Sequence, residues 1–233
     1  MEFDLTSPVF WVALGQIILI DLVLSGDNAV VIALACRNLD PEQRKKGIFW
    51  GVTGAVVLRV ALTACAALVM GLPWLKLIGG VLLLWIGVKL LVPEDEDGHD
   101  IEPAAHLWGA VKTIVVADFV MSLDNVIGVA GAAQGSLFLL LFGLAVSIPL
   151  IVWSSQLILH WMERWPVIVV LGGGLLGYVA GQMMFSDPGV TAYLTGWPEW
   201  LPKAAGAAGA LGVVALGKWL GARRLQGQDV KIV

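Results

Sequence analysis

Two stretches of the chain carry side chains that could do chemistry together. The first reads Asp21-Leu-Val-Leu-Ser25-Gly26-Asp27-Asn28 and the second Asp118-Phe-Val-Met-Ser122-Leu123-Asp124-Asn125. Both fit D-[LF]-V-[LM]-S-x-D-N. Every donor in them is an oxygen: carboxylate, amide carbonyl or hydroxyl. Such donors suit hard cations, so Asp21, Asp27, Asn28, Asp118, Asp124 and Asn125 are candidate ligands for Mg²⁺, Ca²⁺ or Mn²⁺, with Ser25 and Ser122 as secondary donors. No His or Cys joins the set, which disfavours zinc and copper. Four carboxylates carry more negative charge than a divalent cation neutralises. The surplus has to be protonated or paired, so a site of this kind can exchange protons for metal.

The elements that must position these residues are membrane helices. The chain has 233 residues, of which 58% are hydrophobic and 14% charged, and its mean hydropathy is +0.86. Soluble domains carry about 25% charged residues. The composition therefore excludes a disordered chain, a nucleic-acid binder and an ordinary soluble enzyme. A spanning helix needs about 20 mostly apolar residues, and seven runs qualify: 9–35, 47–70, 72–91, 107–132, 137–160, 166–184 and 201–220. This predicts an all-α polytopic membrane protein, a single transmembrane domain over 1–233, with the lipid bilayer as its surroundings. Pro149 falls inside the fifth run and predicts a kink there. Only two loops are substantial, 92–106 and 185–200.

All but Lys76, Lys203 and Arg59 of the 14 Lys and Arg fall on one side if the N-terminus lies outside. The positive-inside rule then gives an N-out, C-in protein of the cytoplasmic membrane. Trp11, Trp74, Trp197 and Trp200 would mark the outer belt, and Trp50, Trp108, Trp161, Trp165 and Trp219 the inner one; Trp85 and Trp153 fit neither. The N-terminus, MEFDLTSP, lacks the basic region of a signal peptide, so the first run reads as a retained span. Cys36 and Cys65 sit in apolar runs and read as unpaired.

The two polar motifs are 97 residues apart, and Trp11 and Trp108 keep that offset. Leu77-Ile-Gly79-Gly80 matches Val170-Leu-Gly172-Gly173 at an offset of 93. Residues 9–91 thus form one repeat and 107–184 a second, joined by the acidic linker 92–106, with helix 201–220 outside both. Three spans per repeat is an odd number, so the second copy crosses the membrane inverted. Inverted repeats are a transporter architecture, with substrate sites near the midplane between the halves.

An aspartate at the centre of a span costs about 2.5–3.5 kcal/mol on insertion scales. The bland reading of the four is hydrogen-bonded glue between helices; their duplication favours a site. On a regular helix Asp21, Ser25 and Asn28 share a stripe, while Asp27 lies about 120° away. Convergence of both carboxylates predicts a loosened helix near Ser25-Gly26. Leu123 replaces that glycine in the second copy, which puts strict symmetry in doubt. Arg59 falls within the second span, where it pairs with an aspartate and fixes packing, neutralises the empty site during a return step, or does both. Residues 94–102 read as a solvated acidic linker or a weak cation antenna. His106 and His160 read as interface residues, and Gly79, Gly80, Gly172–Gly174, Gly177 and Gly181 as contacts for close packing.

The stretches D21LVLSGDNAVVIA and A117DFVMSLDNVIGVAG, with seven spans and the small size, resemble the TerC family of integral membrane proteins, and within it the YjbE-like metal-transport branch. The similarity covers about residues 9–220. It implies export of manganese or a similar divalent ion from the bacterial cytoplasm, with Asp21, Asp27, Asn28, Asp118, Asp124 and Asn125 as metal-site residues. Some members are linked to tellurite resistance or to metallation of exported enzymes, so a non-transporting metal-binding partner is the alternative. An intramembrane aspartyl protease is disfavoured, because the first glycine of Gly-x-Gly-Asp is absent from both copies. Neither a catalytic residue nor a resident cofactor is expected; the metal is cargo.

Overall fold

The computed structural model describes residues 11–12, 14–15, 18, 26–65, 72–92, 103–132, 137–193 and 196–229. Every regular element among them is helical: α1 Gly26–Cys36, α2 Pro41–Ala64, α3 Leu75–Leu91, α4 Pro103–Ala132, α5 Leu137–Arg164, α6 Val167–Phe185, α7 Pro188–Thr191 and α8 Leu201–Asp229. Five are long and apolar enough to cross a membrane, within α2, α4, α5, α6 and α8. Among the described residues, five of the seven expected spans meet the required length. Helix α1 has 11 described residues and α3 has 17. The start of the first expected span lies largely outside the described residues, as do the N-terminal motif MEFDLTSP and most of the acidic linker.

Boundaries moved for local reasons. Helix α2 starts at Pro41, six residues before the apolar run, because proline at a helix start forfeits no needed N–H. Helix α4 takes up Pro103–His106 from the expected linker and runs unbroken for 30 residues, through Leu123. Helix α5 also continues through Pro149, with no interruption in its helical residues. Proline there lies on the exposed face.

One apolar core joins the first six helices, with Leu34, Ile48, Leu83, Ile114, Leu176 and Met183 fully buried and Ile151, Leu159 and Met162 contributed by α5. Large apolar side chains also cover the outside, among them Ile78, Leu171, Leu211, Trp85 and Trp153. A surface of that kind is stable against lipid chains rather than water.

Helix α2 packs on α4 and α1 on α5; α3 packs on α4 and α1 on α6; α3 also meets α6, and α1 meets α4. Exchanging α1, α2 and α3 for α4, α5 and α6 maps each of these pairs onto another or onto itself. The glycines follow the same exchange. A Cβ on Gly79 of α3 would meet Val120 of α4, and one on Gly172 of α6 would meet Val30 and Leu34 of α1. Gly80 faces Ala180 and Met184 of α6, while Gly173 faces Leu91 of α3.

Helix α8 rests mainly on α6. There the backbones nearly touch: a Cβ on Gly177 would lie 2.4 Å from the Gly209 carbonyl oxygen, and one on Gly181 2.3 Å from that of Ala205. Small residues four apart allow this approach, as expected for packing between membrane helices.

Candidate functional site

Arg59 projects from α2 against α4. It is 3% exposed, and Asp118 is 4% exposed. An Arg59 Nη2–H donates to Asp118 Oδ1 in a buried ion pair. Its Nε–H donates to Ser122 Oγ at 3.2 Å, and the Ser122 hydroxyl donates to Asp118 Oδ2 at 3.1 Å. Asp118 and Ser122 are one turn apart, so both face α2 from the same stripe of α4. The pairing reading of Arg59 is therefore the observed one. A buried ion pair of this kind satisfies its hydrogen bonds at a large desolvation cost, and removing one partner leaves an uncompensated charge.

Helix α1 brings Asp27 and Asn28 to the same region. The Asp27 Oδ1 accepts from the Asn28 backbone N–H at 2.9 Å. Asp27 is within electrostatic reach of both Arg59 and Asp118. Asn28 is 3% exposed, and among the described residues neither its Oδ1 nor its Nδ2 finds a hydrogen-bond partner. Buried amides are almost always paired, so this one is an exception among the buried polar groups.

The structure thus joins Arg59, Asp118 and Ser122 directly, and it places Asp27 and Asn28 on a third helix, α1, that packs on α4. Asp21 and Ser25 lie outside the described residues. Asp124 and Asn125 are on α4, with side chains outside the description. Among the described residues, no three His, Cys, Asp or Glu converge on one point. His106 is half-buried in α4, His160 is exposed on α5, and both cysteines are free.

Three polar features escaped the sequence reading. Ser147 and Ser155 are fully buried on one face of α5, each donating to its own helix backbone. Asp187, assigned to a loop, is fully buried and holds two helix starts. Its Oδ1 accepts from the N–H of Trp74 at 2.8 Å and of Gly189 at 2.7 Å; its Oδ2 accepts from Lys76 at 2.9 Å and Leu77 at 3.2 Å. Burial opposes its charge, but the N–H groups of Trp74, Leu77, Gly189 and Lys76 outweigh it and hold its carboxyl below the usual range. Aspartate followed by Pro188 was the available signal, since that pair opens a helix. At the opposite end of the bundle, Arg44 pairs with Glu163 and donates to the Arg37 carbonyl at 3.0 Å.

The model of the integral membrane protein TerC family matches residues 6–225. The chain belongs to the TerC family. It is 43% identical over 194 residues to the membrane protein YjbE of Bacillus subtilis, covering 83% of this chain and 86% of that one. It is 26% identical over 188 residues to YceF of the same organism, covering 77% and 73%. It is 28% identical over 185 residues to the inner membrane protein YgdQ of Escherichia coli K12, covering 72% and 77%. No solved structure matches significantly. This TerC-family chain is thus a multi-pass integral membrane protein, and the polar node lies inside its helical bundle.

Proposed function

We propose that the protein exports a divalent cation, with Mn²⁺ favoured, across the cytoplasmic membrane by alternating access of two inverted three-helix halves. One observation carries the reading: Arg59, Asp118 and Ser122 form a buried polar triad between two helices of a membrane bundle, and half-buried Asp27 and buried Asn28 stand on a third helix packed on the same α4. Ionisable groups at such depth serve ion pathways by default. The helix pairs and glycine contacts that map onto one another on exchanging α1–α3 for α4–α6 support the inverted halves. Asp21, Asp124 and Asn125 join the site by the repeated motif. The N-out, C-in orientation follows from the distribution of Lys and Arg.

Inside-out vesicles carrying the wild-type chain should take up Mn²⁺, and those carrying Asp27→Asn should not, with equal protein in the membrane. Normal Mn²⁺ flux in the variant would sink the proposal. Metal binding without flux in purified liposomes would favour the non-transporting partner instead. Proton coupling is a further part of the proposal, since the carboxylates exceed the charge of the cargo. Transport indifferent to an imposed pH gradient counts against it.

A further inference from the structure

The seam between α6 and α8 is not uniform along its length. Gly181, Gly177, Gly174 and Val170 follow one stripe of α6 at helical spacing. A Cβ on Gly181 would lie 2.3 Å from the Ala205 carbonyl oxygen, and one on Gly177 2.4 Å from that of Gly209. At Gly174 the nearest neighbour is Val214 Cγ2, at an ordinary 3.4 Å. Around Val170 the helices have parted. A cavity of about 310 Å³ lies there, lined by Leu91 of α3, Val169 and Val170 of α6, and Lys218, Gly221 and Ala222 of α8. Leu91 fills the seam beside it, since a Cβ on Gly173 or Gly217 would meet its side chain at 2.6 or 2.7 Å.

Lys218 is the one charged side chain in that lining. Lys218 and Ala222 are exposed, so the cavity opens on the outer face of the bundle. It lies where α3 ends, α6 begins and the apolar run of α8 ends, at the same end as Arg44 and Arg164. Trp219 stands next to Lys218, with the Arg223 guanidinium 3.8 Å from its ring centroid. Tryptophan marks the level where acyl chains meet headgroups. Arg223 and Lys89 each lie over a tryptophan ring, whereas Lys218 has no ion pair or ring contact among the described residues. An apolar cleft with one uncommitted ammonium at its mouth fits hydrocarbon joined to an anion. An acidic peptide would meet Lys218 but leave the apolar walls bare.

We infer that this cavity binds an anionic phospholipid of the leaflet at the basic end, with an acyl chain in the cleft between α6 and α8 and the phosphate paired with Lys218. Basic pockets between membrane helices recognise anionic headgroups in this way. The bound lipid then fills the splayed end of a seam whose other end is closed by backbone contact. The inference does not depend on the cargo.

Native mass spectrometry of the delipidated full-length chain tests this, by titration with dioleoyl-phosphatidylglycerol or dioleoyl-phosphatidylcholine. The wild type should take up a single phosphatidylglycerol before any weaker binding, at least about fivefold more tightly than phosphatidylcholine. Lys218→Gln should bring the two lipids to equal affinity. Ala222→Phe should fill the mouth of the cleft and weaken both. The two positions are exposed, so the melting temperatures should stay near wild type. Glycerol 3-phosphate carries the charge without a chain and should not bind at the same concentration. Equal affinity of the wild type for the two lipids overturns the inference, as does unchanged phosphatidylglycerol binding in either variant. Glycerol 3-phosphate binding as tight as that of the lipid also overturns it, in favour of a site for a free anion.

Discussion

Arg59 and Asp118 each depend on the other because both are nearly inaccessible to water. Arg59→Met or Asp118→Asn alone should cost about 3–5 kcal/mol, since either leaves a charge buried without its partner. The double variant should lose clearly less than the sum, a coupling visible in denaturant unfolding of the solubilised protein. Asp187 makes a different residue-scale prediction. A carboxyl held below the ordinary value of about 3.9 contributes stability that is complete above that value. The contribution disappears as pH falls through the lower folded value. Asp187→Asn should therefore lower the melting temperature at pH 7, and the gap to wild type should narrow on acidification below about pH 4. A gap that widens in acid would contradict the four N–H contacts. The motif aspartates were legible because polar repeats are conspicuous in apolar sequence. Asp187 was not, because its partners Trp74, Lys76 and Leu77 lie 110 or more residues away.

At the scale of elements, the α6–α8 seam is the most constrained contact. Gly177 and Gly181 face backbone, which cannot move aside as the tip of a side chain can. Gly177→Leu should separate the two helices and cost about 1–3 kcal/mol or more. Gly212 has nothing within 4 Å of an added Cβ, so Gly212→Leu should leave the melting temperature near wild type. Equal losses in the two variants would show that the seam is not closely packed. Hydropathy located the helices within a few residues, because the length of a span is set by the bilayer. It missed the extension of α2 to Pro41 and of α4 to Pro103, since polar helix ends leave no apolar signal. It also left open whether Leu123 ends a helical segment. Helix α4 runs straight past it, because leucine, unlike glycine, favours helix.

For the whole molecule, the contacts fix which helix ends lie together. Arg44 at the start of α2 meets Glu163 at the end of α5, and Trp74 before α3 meets Asp187 after α6. The first end is rich in basic residues, and the proposed N-out orientation puts it in the cytoplasm. Tyr193 belongs to the other end and is 77% exposed. In a Cys65→Ser background, Tyr193→Cys should react with a membrane-impermeant maleimide on intact cells. Reaction only after lysis would reverse the orientation.

Sequence by itself determined the membrane environment, the TerC resemblance, the duplicated D…S-x-D-N motifs and the buried arginine, because composition and local spacing encode solvent and helical phase. Tertiary structure alone decided that Arg59 engages Asp118 and Ser122 and that, among the described residues, Asn28 is left unpartnered. Those are choices among helix neighbours distant in sequence, and spacing along one helix does not specify which neighbour its polar stripe will face.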